Sequence, residues 1–292
     1  MTVLHPSQGR DSAYLDWRTM RLARHPRAVA ELVVAVGDIE RLTDAEFRAM
    51  MDVIRRCNMA VYRETAPRAG RDDKKALRAL GRRFGLDRLD CNSLADGDGI
   101  TPLAVHREGT RARYIPYTDR PIAWHTDGYY NEAGRRVRGL LLHSSRPAAE
   151  GGENRLMDPE ILYILLRDRD PRLAEALARP DAMTIPGNEE EGMARAATVG
   201  PVFFVEDGHL QMRYTARGRN IEWSPDPDVQ AAVAAVRAIL DGESPFVFRA
   251  RLDAGMGLVC NNVLHTREKF TDDPARPRLL YRARYHDRIA ES

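Results

Sequence analysis

At 292 residues, with 43% hydrophobic and 30% charged side chains, the chain can bury a sizeable core and has the make-up of a soluble globular protein. A formal net charge of +2 gives no overall pull toward nucleic acid, and no apolar run approaches the ~18 residues that span a membrane. Cys57, Cys91 and Cys260 are odd in number and widely spaced, which argues against a disulfide framework and fits a reducing cytoplasm. Nothing in residues 1–11 has the basic-then-apolar order of a secretion signal.

Residues 1–30 are polar and Arg-rich, and read as an N-terminal arm that packs late or meets a second subunit, a homo-oligomer contact. Residues 31–292 then read as one domain. Residues 32–36 are a strand closed by Gly37-Asp38. Thr43 and Glu46 make a capping box, and Phe47, Met50, Met51 and Ile54 follow at helical spacing. Residues 59–62 are a buried strand. Asp72 or Asp73 starts a second helix with Leu77, Leu80 and Phe84 on one face and Gly85 as its stop.

Residues 86–120 are irregular and rich in Asp, Gly, Thr and Pro, a long loop of the kind that carries function. Residues 138–143 form a buried strand, followed by a turn at Glu150-Gly151-Gly152-Glu153-Asn154. Asp158-Pro159 and Asp170-Pro171 each start a helix by cap and N1 proline. Residues 181–199 read as an exposed loop with the acidic run Glu189-Glu190-Glu191. Asp207-Gly208 joins a hairpin, Asp226-Pro227 opens another helix, and strands at 246–250, 257–260 and 278–285 close the chain. Helices gathered in insertions among short strands predict a mainly β, α+β protein, a sandwich decorated by helices.

Function is concentrated around Trp124-His125-Thr126-Asp127-Gly128-Tyr129-Tyr130. In an extended segment His125 and Asp127 share a face, so an imidazole nitrogen and a carboxylate oxygen can take adjacent positions on a metal. His265 is the candidate third ligand. Two histidines and one carboxylate leave open positions, the pattern of non-haem Fe(II) oxygenases. On an extended strand Arg278, Leu280 and Arg282 also share a face. Two inward guanidiniums need anionic partners, and a bidentate carboxylate suits that fork.

His125-Thr126-Asp127, Gly151-Gly152-Glu153-Asn154, Asn261-Asn262-x-x-His265-x-Arg267 and Arg278-x-x-x-Arg282 together resemble the taurine dioxygenase-like family of Fe(II)/2-oxoglutarate oxygenases, relatives of γ-butyrobetaine hydroxylase. The resemblance runs from about residue 31 to 287 and rests on the order and spacing of all four motifs. It implies a double-stranded β-helix (jelly roll) with helical insertions. It also implies that His125, Asp127 and His265 bind Fe(II), with 2-oxoglutarate and O2 as co-substrates and succinate and CO2 as products. Arg278 would pair with the distal carboxylate of 2-oxoglutarate, and Asn154 stands where the family often has a Thr that helps hold it. Asn261 replaces a common Asp. Arg282 falls where some members grip an anionic substrate group.

Tyr117, Tyr129 and Tyr130, with Trp124, flank the metal positions and are candidates to line the pocket of a small anionic or zwitterionic metabolite. Arg213, Tyr214 and Arg217 read as surface residues, His106, His143 and His209 as structural, and Cys260 as a small buried hydrophobe. Two other readings are a zinc-dependent hydrolase on the same three ligands and a non-catalytic jelly-roll binding protein. The hydrolase leaves Arg278 without a task and lacks a clearly placed glutamate base.

Overall fold

The computed structural model describes residues 12–91, 96–188, 195–218 and 221–292. Its helices are Ser12–Arg24 (α1), Asp44–Cys57 (α2), Asp73–Arg83 (α3), Pro159–Arg169 (α4), Pro171–Leu177 (α5) and Pro227–Asp241 (α6). The strands begin with Val33–Val36 (β1), Met59–Glu64 (β2), Ile100–Leu103 (β3), Ile122–His125 (β4), Gly139–Arg146 (β5), Glu150–Gly151 (β6) and Asn154–Met157 (β7). Met183–Ile185 (β8), Thr198–Gly200 (β9), Phe203–Glu206 (β10), His209–Met212 (β11) and Glu222–Trp223 (β12) follow. Phe248–Ala250 (β13), Met256–Cys260 (β14), Leu264–Arg267 (β15), Phe270–Thr271 (β16) and Leu279–Tyr285 (β17) complete the set.

Two sheets carry the jelly roll. The larger has the order β1-β2-β14-β5-β17-β3 and the smaller β13-β7-β15-β4. Leu142, Leu258 and Leu280 of the larger sheet share one core with Leu156, Phe248 and Ala250 of the smaller. Helices α2 and α3 cover the outer face of the larger sheet. Helices α4, α5 and α6 bury Ile161, Leu162, Leu177, Val233 and Val236 in one core with Trp124, Met157 and Leu264 of the smaller one. The layers and the sheet pairing agree with the expected mainly β, α+β architecture.

Local chemistry explains most elements. Thr43 accepts from the Glu46 backbone and the Glu46 carboxylate returns to the Thr43 N–H at 2.8 Å, the expected capping box. Asn58 ends that helix in the left-handed region, φ 60°, with its N–H on Ile54 O. Asp207 and Gly208 both take positive φ, as a two-residue hairpin between right-twisted strands needs.

Several stretches add to or differ from expectation. Residues 100–103 are not loop but β3, which pairs with β17 at the sheet edge, where Pro102 loses no needed ladder bond. The ends of 181–199 are strands β8 and β9 with Met183 and Ile185 buried, while Glu189-Glu190-Glu191 lies outside the described residues. Strands β6, β7, β12, β15 and β16 were not expected. Within the segment read as an arm, Ser12–Arg24 is helical, and Arg21 is buried between Asp158 (2.5 Å) and Glu160 (2.7 Å) beside α4.

His25, just beyond α1, stacks on Phe248 and meets Phe246 edge-on. Burial holds its pKa below the ordinary 6.5, Arg21 and Arg56 push the same way, and Asp158 opposes. The unfolded chain therefore binds the proton more readily than the folded one, so this part of the stability is complete above ~6.5 and is lost as pH falls below it. Urea denaturation of wild type and His25→Gln should show a stability difference that shrinks between pH 7.5 and 5.5. An unchanged difference would contradict this.

Candidate metal centre

The centre is built on one antiparallel pair. β15 runs against β4 with His265 directly opposite His125, and their ring centroids lie 4.2 Å apart. Asp127 arrives differently from expectation, because β4 ends at His125 and Asp127 sits in the turn that follows. Thr126 fixes that turn: its N–H donates to Tyr214 O at 3.0 Å and its hydroxyl accepts from Tyr214 N at 3.1 Å. Asn262 then brackets the next residue. Its Oδ1 accepts from Asp127 N at 2.8 Å, and its Nδ2 donates to Asp127 O at 2.9 Å and Val137 O at 2.7 Å. The outcome is still convergence, with His125 Nε2 3.7 Å from Asp127 Oδ1. One donor atom from each of His125, Asp127 and His265 lies within 4.8 Å of the others.

The donors are in the right chemical state for a divalent cation. His125 Nδ1 lies 2.9 Å from Ala123 O and His265 Nδ1 2.9 Å from Val263 O. A carbonyl can only accept, so each Nδ1 carries the proton and each Nε2 keeps a free lone pair. Burial, then the neighbouring His265, pushes His125 down to about 3, and burial also lowers His265, so both rings are neutral. Burial alone would raise Asp127, but Arg282 and Arg284 hold its carboxyl below the usual range. Two neutral imidazoles and one carboxylate fit Fe(II).

The other expected residues fall around this set. Arg282 Nη1 lies 3.2 and 3.4 Å from the two Asp127 oxygens, and its Nε is buried with no hydrogen-bond partner among the described residues. Arg278, 4% exposed, lines a pocket with Asn154, Gly151, Gly152 and Leu280. Asn154 Nδ2 donates to Ala250 O at 3.3 Å. Tyr117 is buried and close enough to Arg282, Arg284 and Tyr130 to feel their charges. Tyr130 packs edge-on to Tyr129, which belongs to the core under α4 to α6. Arg213 and Tyr214 are not surface residues: they are 6% and 1% exposed, and Arg213 donates to Met183 O and Gly200 O. His143 is structural, stacked on Tyr62, and Cys260 is fully buried.

Sequence reasoning missed three residues. Asn262 stood in a quoted motif, but its bracket depends on a backbone φ of 49°. Arg284, two residues after Arg282 and so on the same face of β17, pairs with Asp90 at 2.5 Å and donates to the Tyr130 hydroxyl at 2.9 Å. Arg267 is buried among the carbonyls of Pro116, Thr118 and Arg120.

The profile of the taurine catabolism dioxygenase TauD, TfdA family matches residues 21–284, and the chain belongs to that family. It is a 2-oxoglutarate-dependent non-haem iron dioxygenase acting on a small metabolite, with Fe(II) as cofactor and 2-oxoglutarate and O2 as co-substrates. A uridine-5'-phosphate dioxygenase from a Streptomyces species is 37% identical over 206 residues, 64% of this chain and 70% of the relative. Another from an Amycolatopsis species is 32% identical over 173 residues, 56% of this chain and 60% of the relative. The non-heme iron oxygenase OrfP with Fe, succinate and (3R,4R)-dihydroxy-L-Arg shares the fold at a TM-score of 0.64 and 16% identity, over 85% of this chain and 82% of that one. Family membership sets aside the hydrolase and the non-catalytic readings. No described helix is long and apolar enough to cross a membrane.

Asn262 tests the bracket. Asn262→Ala should weaken divalent-metal binding about 10- to 100-fold, as loss of a group that orients a ligand does. Asn262→Asp should do at least as much, since a carboxylate would face the carbonyls of Asp127 and Val137 that the amide now serves. Chelator competition measures both, and wild-type affinity in either would refute the role.

Proposed function

We propose that His125, Asp127 and His265 hold Fe(II), that Arg278 and Asn154 receive the distal carboxylate of 2-oxoglutarate, and that the substrate is a phosphorylated nucleoside of the uridine-5'-phosphate class. Bound iron and 2-oxoglutarate supply the oxidising chemistry, in which the keto acid is decarboxylated to succinate and CO2 while one oxygen atom enters the substrate. The residues do the rest. The neutral imidazoles and the Asp127 carboxylate would hold the metal, and Arg282 stands beside that carboxylate.

The observation that carries the substrate reading is the state of Arg282. A buried guanidinium beside the metal set, sharing only one nitrogen with Asp127 and keeping Nε unpaired, favours an anionic group of the substrate. The similarity to two uridine-5'-phosphate dioxygenases supports a phosphate as that group. Tyr130 adds a neutral contact. Arg284 can only donate, so the Tyr130 oxygen accepts and its own proton is left for an acceptor on the substrate. The three cysteines are free, in keeping with work in a reducing cytoplasm on a free small molecule.

Succinate release from 2-oxoglutarate should be driven by uridine-5'-phosphate or a related nucleoside monophosphate and not by uridine, taurine or free amino acids. Turnover with a sulfonate or an amino acid and none with phosphates would remove this reading. Arg282→Gln should raise the substrate KM about 10- to 100-fold, the range for a hydrogen bond to a charged group, while the KM for 2-oxoglutarate stays near wild type.

A further inference from the structure

Arg278 has an unusual environment for a buried cation. Its backbone N–H donates to Asp272 Oδ1 at 2.7 Å, yet among the described residues no carboxylate pairs with its guanidinium. What lies against it is a ring: Arg278 Cζ is 4.8 Å from the centroid of Phe270. A second guanidinium, that of Arg267, meets the same ring at 4.9 Å. Burial, and then each other's proximity in the case of Arg267, lowers both groups, Arg278 to about 10 and Arg267 to about 9.

We propose that Phe270 is a positioning residue for 2-oxoglutarate binding: its ring holds the Arg278 guanidinium in place without occupying the donors that the co-substrate carboxylate needs. This deepens the assignment of Arg278 above and rests on it. A protein carboxylate in that position would also hold Arg278, but it would consume the same N–H donors and compete with the incoming ligand. An aromatic face attracts the cation through its quadrupole and leaves the edge of the planar fork open.

The surroundings keep the ring where it is. Phe270 is 3% exposed and sits in β16, opposite Gly151 of β6. Its N–H donates to Asp119 O at 3.2 Å, and Gly152 N donates to Lys269 O at 3.2 Å. Gly151 has a φ of 72°, and a Cβ there would run into the Lys269 carbonyl, so this close approach of the two strands requires glycine. Arg267 is itself tethered by the carbonyls of Pro116 (3.2 Å), Thr118 (2.7 Å) and Arg120. It therefore cannot swing away from the ring, and it joins the positioning of Phe270 to the segment that leads into β4.

The test is calorimetric titration of 2-oxoglutarate into the anaerobic Fe(II)-loaded protein, with steady-state KM values beside it. Phe270→Leu, which fills the space but lacks the quadrupole, should weaken 2-oxoglutarate binding about 5- to 30-fold. Iron affinity, substrate affinity and kcat at saturating 2-oxoglutarate should stay at wild-type values, and Phe270→Tyr should restore binding. Site-specific replacement of Phe270 by mono-, di- and trifluorinated phenylalanine changes the ring's charge and not its size, and keeps the test open should the leucine variant fail to fold. Binding should weaken with each fluorine. Arg278→Gln is the control for the underlying assignment and should weaken binding about 30-fold or more. A flat fluorine series with a weakened Arg278→Gln overturns the role of Phe270 alone. An unaffected Arg278→Gln overturns the assignment of Arg278.

Discussion

Two histidines standing opposite one another across a single antiparallel pair set the geometry on which the site depends. Directly opposed side chains on such a pair share a face at about 4.5–5.5 Å, so the register of β4 on β15 alone brings His125 and His265 together. That register is enforced from the other face. Trp124 and Leu264, each one residue before its histidine, are buried in the core under α4 to α6. A slip by one residue would turn an imidazole into that core and an apolar side chain into the cavity. The hydrophobic packing of the smaller sheet is therefore also what assembles the proposed metal site.

Much of this was legible in the chain itself. The capped α2, the proline-started α4 to α6, the Asp207-Gly208 hairpin and the long β17 each carry their own local signal, and the four ordered motifs carried the family. What escaped depends on partners distant in sequence. β3 contains a proline and is a strand only because β17 lies beside it. Asp127 looked like the next same-face residue of a strand, and reaches its place instead through a turn tied to Tyr214 and Asn262. Alternation predicted that Arg278, Leu280 and Arg282 point inward. It could not say which arginine would meet Asp127 and which would stay without a carboxylate.

That last distinction separates two uses of buried arginine in this fold. Arg267 and Arg213 are buried among backbone carbonyls, which spread the charge over several dipoles and lock the segments that provide them. Arg21 and Arg284 are matched by carboxylates, Asp158 with Glu160 in one case and Asp90 in the other. All four are held by groups of the protein itself and act as fasteners, although the Nε atoms of Arg213 and Arg267 are buried without a partner among the described residues. Arg278 has no such match among the described residues, and Arg282 meets Asp127 through Nη1 alone. Keeping a cation desolvated and short of partners costs free energy, and that cost is offset when an anion arrives. Their positions, beside the Asn154 pocket and beside Asp127, fit one anion for each.

The histidines divide by the same reasoning. His143 is as deeply buried as His265, but both of its nitrogens face protein groups: Nδ1 lies 2.9 Å from the Tyr62 hydroxyl and Nε2 lies 3.6 Å from Asp73 Oδ1. It sits on the face of the larger sheet that α3 covers, and a metal there would find no free lone pair. His125 and His265 each commit only Nδ1, to a carbonyl two residues back along the chain. The local backbone thus fixes the tautomer before any ligand binds, and the free Nε2 atoms converge because the strands, not the rings, are held in register. Burial does not separate a structural histidine from these proposed metal ligands; the number of nitrogens already spoken for does.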